Sequence, residues 1–320
     1  MNKHLLNGTT ISISIGNAPD MQKLGYPSRE VDRVLFTVCG SLIRAGARIA
    51  YGGNLETHGY TVKIFRYLAK AYTVRQTIPP FIHYIPESVL FTANYDDIYH
   101  LLHENRDMVE SVVVYQGKIA GTLVALDNGQ VGICWAKDFS PNHLVSSRIE
   151  IIPKNDTEQS LCYTRIFGNM TPVSEALTQM RKIMTAATSA RIVMGGKMGL
   201  LNIPTDHYQG NMPGVVEEAL LTLEANKPII VLGAFGGAAR DIAIALDLLP
   251  KKERVARDPQ LETYQKTIDS IAMFKNQLQR QDLEVLKELA SIDRAETIGH
   301  KIVEYLHSRQ AVRDQSRGIP

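Results

Sequence analysis

The chain has only three cysteines in 320 residues, Cys39, Cys134 and Cys162, and no Cys-x-x-Cys pair. That scarcity and spacing exclude a disulfide framework and a zinc-ribbon ligand set, and no metal site is expected. Long apolar runs are missing, so no bilayer-spanning segment is expected. The start, Met-Asn-Lys-His-Leu-Leu-Asn-Gly, carries one lysine and no apolar core, which does not fit a secretory signal, and a cytoplasmic protein is the expectation. Charge of one sign is also missing. A net charge of +2 gives no global attraction for nucleic acid or an anionic membrane. Aromatics make up 7% of the residues and form no stripe interleaved with basic residues, which argues against a single-strand DNA groove. The sequence contains no Gly-x-Gly-x-x-Gly fingerprint, no Walker lysine motif and no Gly-x-Ser-x-Gly elbow. His100 and His103 stand near Glu104, but with no third clustered ligand they read as an exposed helix face. No cofactor is implied.

What is present is an alternation of strands and helices. Ile11 to Gly16 alternates apolar and small residues and reads as a strand ending in a glycine turn at Gly16-Asn17. Ser28 is a plausible N-cap for a helix whose apolar positions Val31, Val34, Leu35, Val38 and Leu42 keep helical spacing to Ala45. Cys39 falls in that apolar pattern and reads as a small core residue. A second strand from Arg48 ends in Gly52-Gly53, and Val62 to Ala71 is helical again. Such β-α-β-α order predicts parallel strands joined by crossovers. Thr77 to about Ile166 breaks the rhythm. Residues 108–152 read as a β-rich hairpin or meander, with turns at Gln116-Gly117 and Asp127-Asn-Gly129. From Pro172 the regular order returns: helix Val173–Ala187, strand Arg191–Met194, helix Val215–Glu224, strand Ile229–Leu232, and a helix after Gly236-Gly237. Leu261 to about Ser308 is helical by periodicity, and Arg309–Pro320 reads as a polar, mobile tail. The expected fold is α/β: a Rossmann-like parallel sheet with helices on both faces, a β-rich insert and a C-terminal helical extension. The expected domains are 1–250 and 251–320.

Gly16, Gly52-Gly53 and Gly195-Gly196 each follow a strand. In parallel sheets ligands bind at the carboxyl ends of strands, where glycine lets backbone approach a phosphate. Gly195-Gly-Lys197 is followed, after a polar loop, by Pro213-Gly214-Val-Val-Glu217-Glu218 at a helix start. Proline and acids in a first turn favour helix initiation on their own. The functional reading places a glutamate at the cleft mouth, to bind a ribose hydroxyl or to act as acid or base on a glycosidic bond. Lys197 is either a phosphate ligand or a solvated loop lysine.

With these residues in hand, the sequence resembles the LOG–Smf/DprA (SLOG) superfamily, and within it is similar to the LOG-like group found beside sirtuin (Sir2) and TIR domains in bacterial conflict systems. Ile13-Ser-Ile-Gly16 and Gly46-Ala-Arg-Ile-Ala-Tyr-Gly-Gly53 match the layout of the first half of the LOG pattern. Met180-Arg-Lys182, Ser189-Ala-Arg-Ile-Val-Met-Gly-Gly196, Pro213-Gly-Val-Val-Glu-Glu218 and Lys227-Pro228 match the second. LOG enzymes are nucleoside 5′-monophosphate phosphoribohydrolases. The resemblance maps their catalytic arginine and glutamate onto Arg181 and Glu218. It places Gly16, Asn17, Gly52, Gly53, Gly195, Gly196, Lys197, Pro213, Gly214 and Glu217 around a ligand. Three differences stand out: residues from Lys197 to Met212 split the loop, Val215 replaces the loop threonine, and the Arg-Lys pair is one residue out of register. The resemblance therefore implies binding of a nucleotide or an ADP-ribose-like derivative in a defence or signalling context, with hydrolysis of the N-glycosidic bond as the alternative. It further implies a homo-oligomer and a separate effector protein. Binding of DNA in the DprA manner is the least supported reading.

Overall fold

The computed structural model describes residues 5–53, 55, 59–71, 78–105, 107–139, 148–256, 258–278 and 280–316. By its internal contacts the chain divides into two units, Met1–Ile49 with Ala187–Pro320, and Ala50–Ala186.

The first unit starts with strand β1, Thr10–Gly16, whose five central residues are all buried, serines included. Both faces are covered, which explains why the serines sit inside: Ser12 Oγ donates to the Ala190 carbonyl at 3.1 Å. Helix α1, Ser28–Arg44, follows Pro27, which holds the cap position with extended backbone. Ser28 is thus the first helical residue and not the N-cap that the sequence suggests. Val31, Val34, Leu35, Val38, Cys39 and Leu42 are all at most 2% exposed, and each of the large ones contributes about 1.5–3 kcal/mol of burial. Burial also pushes the Cys39 thiol up to about 12, so this cysteine is core and not a nucleophile. Gly46, at φ 92°, closes the turn into strand β2, Arg48–Gly52. The Arg48 amide donates to the Thr9 carbonyl at 2.9 Å.

Strands β8, Ala190–Gly195, and β9, Ile229–Leu232, complete the first unit's sheet in the order β1-β8-β9. Both pairings are parallel, as the β-α-β pattern predicts. Helix α7, Gly214–Glu224, joins β8 to β9, and helix α8, Gly237–Ala245, follows β9. Helices α9, Glu262–Ala272, α10, Arg280–Ser291, and α11, Ala295–Ser316, form the C-terminal extension. Helix α11 packs along α1 and runs eight residues past Ser308. The expected mobile tail is therefore helical as far as Ser316, while 317–320 lie outside the described residues.

The second unit contains α2, Tyr60–Ala71, and the wholly buried strand β3, Phe81–Pro86. Helices α3, Glu87–Thr92, and α4, Tyr95–Glu104, separate β3 from β4, Val109–Tyr115, and the two strands pair in parallel. Strands β5, Lys118–Ala125, β6, Val131–Trp135, and β7, Ile149–Ile151, continue as an antiparallel meander. The expected β-rich stretch is there, with its first turn at Gln116-Gly117, where both residues have positive φ. Helix α5, Asp156–Phe167, leads to α6, Val173–Ala187. The fold is thus α/β and Rossmann-like, with parallel strands, an antiparallel stretch and C-terminal helices.

Candidate functional site

At the carboxyl end of the first unit's strands the glycines stand level. Gly16 is the register partner of Gly195, one step past Ile15 and Met194. Gly195 and Gly196 have φ of 59° and 104°, a conformation that side chains rarely adopt. A Cβ on Gly195 would stand 2.3 Å from the Gly16 carbonyl oxygen, and one on Gly196 would stand 2.8 Å from Cβ of Val215. The Gly196 amide donates to the Gly16 carbonyl at 2.9 Å. Close backbone approach therefore requires both glycines, and Val215 fills the space beside them. Asn17 is exposed at the lip.

Two helices start beside this turn, and their N-termini differ. At α8 the buried carboxylate of Asp20 accepts the Gly237 amide at 2.6 Å, and the Gly196 carbonyl accepts the Ala238 amide at 3.1 Å. The chain itself thus neutralises the positive end of α8. At α7 the cap residue is Pro213, whose ring carries no hydrogen-bond acceptor, and no side-chain cap bond forms. The amides of Val216 and Glu217 turn back on the Pro213 carbonyl, each at 3.0 Å. Those of Gly214 and Val215 belong to the first turn, whose donors lie beyond the helix's own ladder. Glu217 is buried in that same turn.

Glu218 is 5% exposed and faces inward. Its Oε2 accepts from Arg191 Nη1 at 2.8 Å and from the Ser14 hydroxyl. Arg191 is fully buried. The same Nη1 donates to Ser14 Oγ at 2.8 Å, and Nε donates to Thr222 Oγ1 at 2.7 Å. Thr222 in turn donates to the Glu218 carbonyl at 2.7 Å. The carboxylate is thus one half of a dry ion pair that ties β1, β8 and α7 together. Sequence reasoning passed over Arg191. Its signal is a strongly basic residue opening an apolar strand, which must find an acidic partner once buried.

The segment that splits the loop is built around Asp206, also unremarked in the sequence. Its buried carboxylate accepts from the Met198 amide at 3.1 Å and from the Leu200 amide at 2.8 Å. Burial raises its pKa, and the amide hydrogen bonds offset part of that. The Leu261 amide donates to the Gly199 carbonyl and the Leu201 amide to the Pro259 carbonyl, which pins the segment to the residues before α9. Lys197 is half-buried, and its ammonium donates to the His207 carbonyl at 2.7 Å.

Gly52, Gly53 and Arg181 belong to the second unit. Gly52 lies against Met180, whose Sδ would stand 2.7 Å from a Cβ there. Arg181 is the buried member of its pair, at 8% exposure, while Lys182 is exposed. The Gly53 carbonyl meets His83 Nε2 at 3.1 Å. His83 is fully buried, which lowers its pKa to about 4, so the ring is neutral and Nε2 carries the proton. His100 makes an exposed 3.4 Å contact with Glu104, while His103 stacks on Tyr99. Among the described residues no group of three metal-capable side chains gathers, and no helix is long and apolar enough to cross a membrane.

The family model described as SLOG cluster2 matches residues 5–111 and 136–296, and the chain belongs to that family. The stretch the model skips runs from within β4 to the end of β6, the core of the antiparallel meander. No curated protein matches the chain.

Proposed function

We infer that the chain binds a nucleotide or a nucleotide-derived, ADP-ribose-like ligand, with a phosphate at the α7 N-terminus beside Gly16, Asn17, Gly195 and Gly196. One observation carries this reading: of two helix N-termini at the same strand ends, the chain fills that of α8 with Asp20 and gives that of α7 no side-chain cap. Backbone donors and the partial positive charge of a helix start suit a phosphate. Membership of a SLOG family agrees with a nucleotide ligand. In this reading Glu217, in the same turn, is the residue that would serve a ribose hydroxyl.

Binding is favoured over hydrolysis by the state of Glu218. A carboxylate bound to Arg191 and Ser14 in a dry ion pair is occupied by the protein itself, whereas glycosidic cleavage needs an acid or base that reaches the substrate. We therefore propose a sensor, and the family resemblance suggests that it reports to a separate effector in a defence or signalling setting. Titrating the protein with ADP-ribose and AMP in a calorimeter tests binding. Incubating it with AMP and NAD, with chromatography for free base, tests cleavage. Saturable binding without base release supports the sensor. Base release that Glu218→Gln abolishes would establish the hydrolase.

A further inference from the structure

A cavity of about 270 Å³ lies between α2 and α4 of the second unit, smaller than a drug-sized pocket and on the scale of an amino acid. Leu55, Val62 and Leu101 give it apolar walls, and Arg66, Asp97, Glu104 and Asn105 give it polar ones. Neither the Arg66 guanidinium nor the Asp97 carboxylate has an ion pair or hydrogen bond among the described residues. Asn105 caps α4 and is 5% exposed. Its Nδ2 donates to the Leu101 carbonyl at 3.0 Å, while its Oδ1 is buried with no hydrogen-bond partner. An unmet buried acceptor is costly, so a ligand N–H placed there is rewarded. Glu104 is the last residue of α4, where the helix macrodipole disfavours a carboxylate. Its one ion-pair contact among the described residues is the exposed His100 ring, at 3.4 Å.

Asp97, Leu101 and Asn105 follow at four-residue steps and so share one face of α4, about 12 Å from first to last. That face reads acid, apolar, acceptor. Arg66 adds one cation from α2. We propose that this cavity binds a free basic amino acid of the lysine type. Its carboxylate pairs with Arg66 and its α-ammonium with Asp97. Its methylene chain lies along Leu101, and its terminal ammonium donates to Asn105 Oδ1 beside Glu104. One guanidinium and two carboxylates in the lining match one carboxylate and two ammonium groups in the ligand. The site belongs to the second unit and uses no residue of the glycine turn, so it stands or falls without the nucleotide reading.

Calorimetric titration of the full chain with L-lysine and three molecules that each lack one of its charged groups tests the proposal. Cadaverine lacks the carboxylate, norleucine the terminal ammonium and 6-aminohexanoate the α-ammonium. Saturable one-to-one binding of lysine is expected, with each of the others weaker by about tenfold or more, the loss of one charge-assisted contact. Arg66 is exposed, so Arg66→Met should fold normally, weaken lysine roughly tenfold and leave cadaverine unchanged. Asp97→Asn should weaken lysine and leave 6-aminohexanoate unchanged. If Asp97→Asn lowers the melting temperature, Glu104→Gln gives a second reading: weaker lysine and unchanged norleucine. Absence of saturable lysine binding by the wild type overturns the proposal. So does lysine binding that the Arg66 and Asp97 variants leave unchanged. Cadaverine bound as tightly as lysine would make this a polyamine site and overturn the assignment as well.

Discussion

Each unit buries a polar cluster, and the two clusters are built in opposite ways. In the first unit Arg191, Glu218, Ser14 and Thr222 satisfy one another through hydrogen bonds of 2.7–2.8 Å and a shorter Ser14–Glu218 contact. In the second, His83 and its register partner Ser111 are fully buried, and His83 Nδ1 and Ser111 Oγ have no hydrogen-bond partner. Thr61 Oγ1, beside Gly53, is likewise unpaired. At the end of β3, Glu87 is 1% exposed and neither of its carboxylate oxygens meets a donor at hydrogen-bond geometry. A paired cluster locks its strands and helix into one arrangement. An unpaired one costs stability and makes it depend on pH. The difference teaches that buried polarity here is a lock in one unit and a liability in the other.

The largest expected effect comes from breaking the lock. Arg191→Met strands the Glu218 carboxylate and should destabilise the protein by about 3–5 kcal/mol, read from a denaturant midpoint. The double variant Arg191→Met, Glu218→Leu removes both charges and should recover most of that loss. If the double variant is no better than the single one, the pair is not what holds these elements.

Next is the liability at His83. Its folded pKa, about 4, lies below the ordinary 6.5, so between those values the unfolded chain binds the extra proton. Stability should therefore be full above pH 6.5 and fall by roughly 3 kcal/mol as the pH drops to about 4. Thermal melts across that range check it, and His83→Gln should flatten the slope.

Asp206→Ala removes the acceptor for two backbone amides and should cost about 2 kcal/mol, with faster proteolysis between Lys197 and Met212 as the local sign. The smallest effect is at Glu87. Burial raises its pKa, with the nearby Thr171 offsetting part of the shift, so its ionised form is a cost. Glu87→Gln should raise stability by about 1 kcal/mol at pH 7. That gain should disappear in acid, below the ordinary carboxylate range, where the wild-type carboxyl is protonated in both states.

Much of the fold was legible in the sequence because local signals and burial agreed. Helix Val173–Ala187 and strand Ile229–Leu232 have the bounds that periodicity gives. The glycine turn at 195–196 was legible because only glycine fits there, and Gly16 packs tightly against it. Strand β3 was not legible: all six residues are buried, so it shows no alternation, and prolines at 79, 80 and 86 mimic loop punctuation. Helix α11 beyond Ser308 was hidden by its polar composition, although Arg309 and Gln310 face a cavity. At the candidate site the glycines and the α7 start could be read from sequence. The partner of Glu218 could not, because Arg191 lies 27 residues away and only the pairing of β1 with β8 under α7 brings them together.

The central claim is that the uncapped α7 N-terminus holds a phosphate, and Gly214→Pro tests it most directly. Gly214 is the first helical residue, where proline is well tolerated, and Pro213 already has the extended backbone that a following proline demands. The substitution removes one amide donor and little else. Calorimetry with ADP-ribose should show saturable binding to the wild type and binding about tenfold weaker to Gly214→Pro, at an unchanged or higher melting temperature. Equal affinity in both proteins, or no binding to the wild type, would contradict the claim.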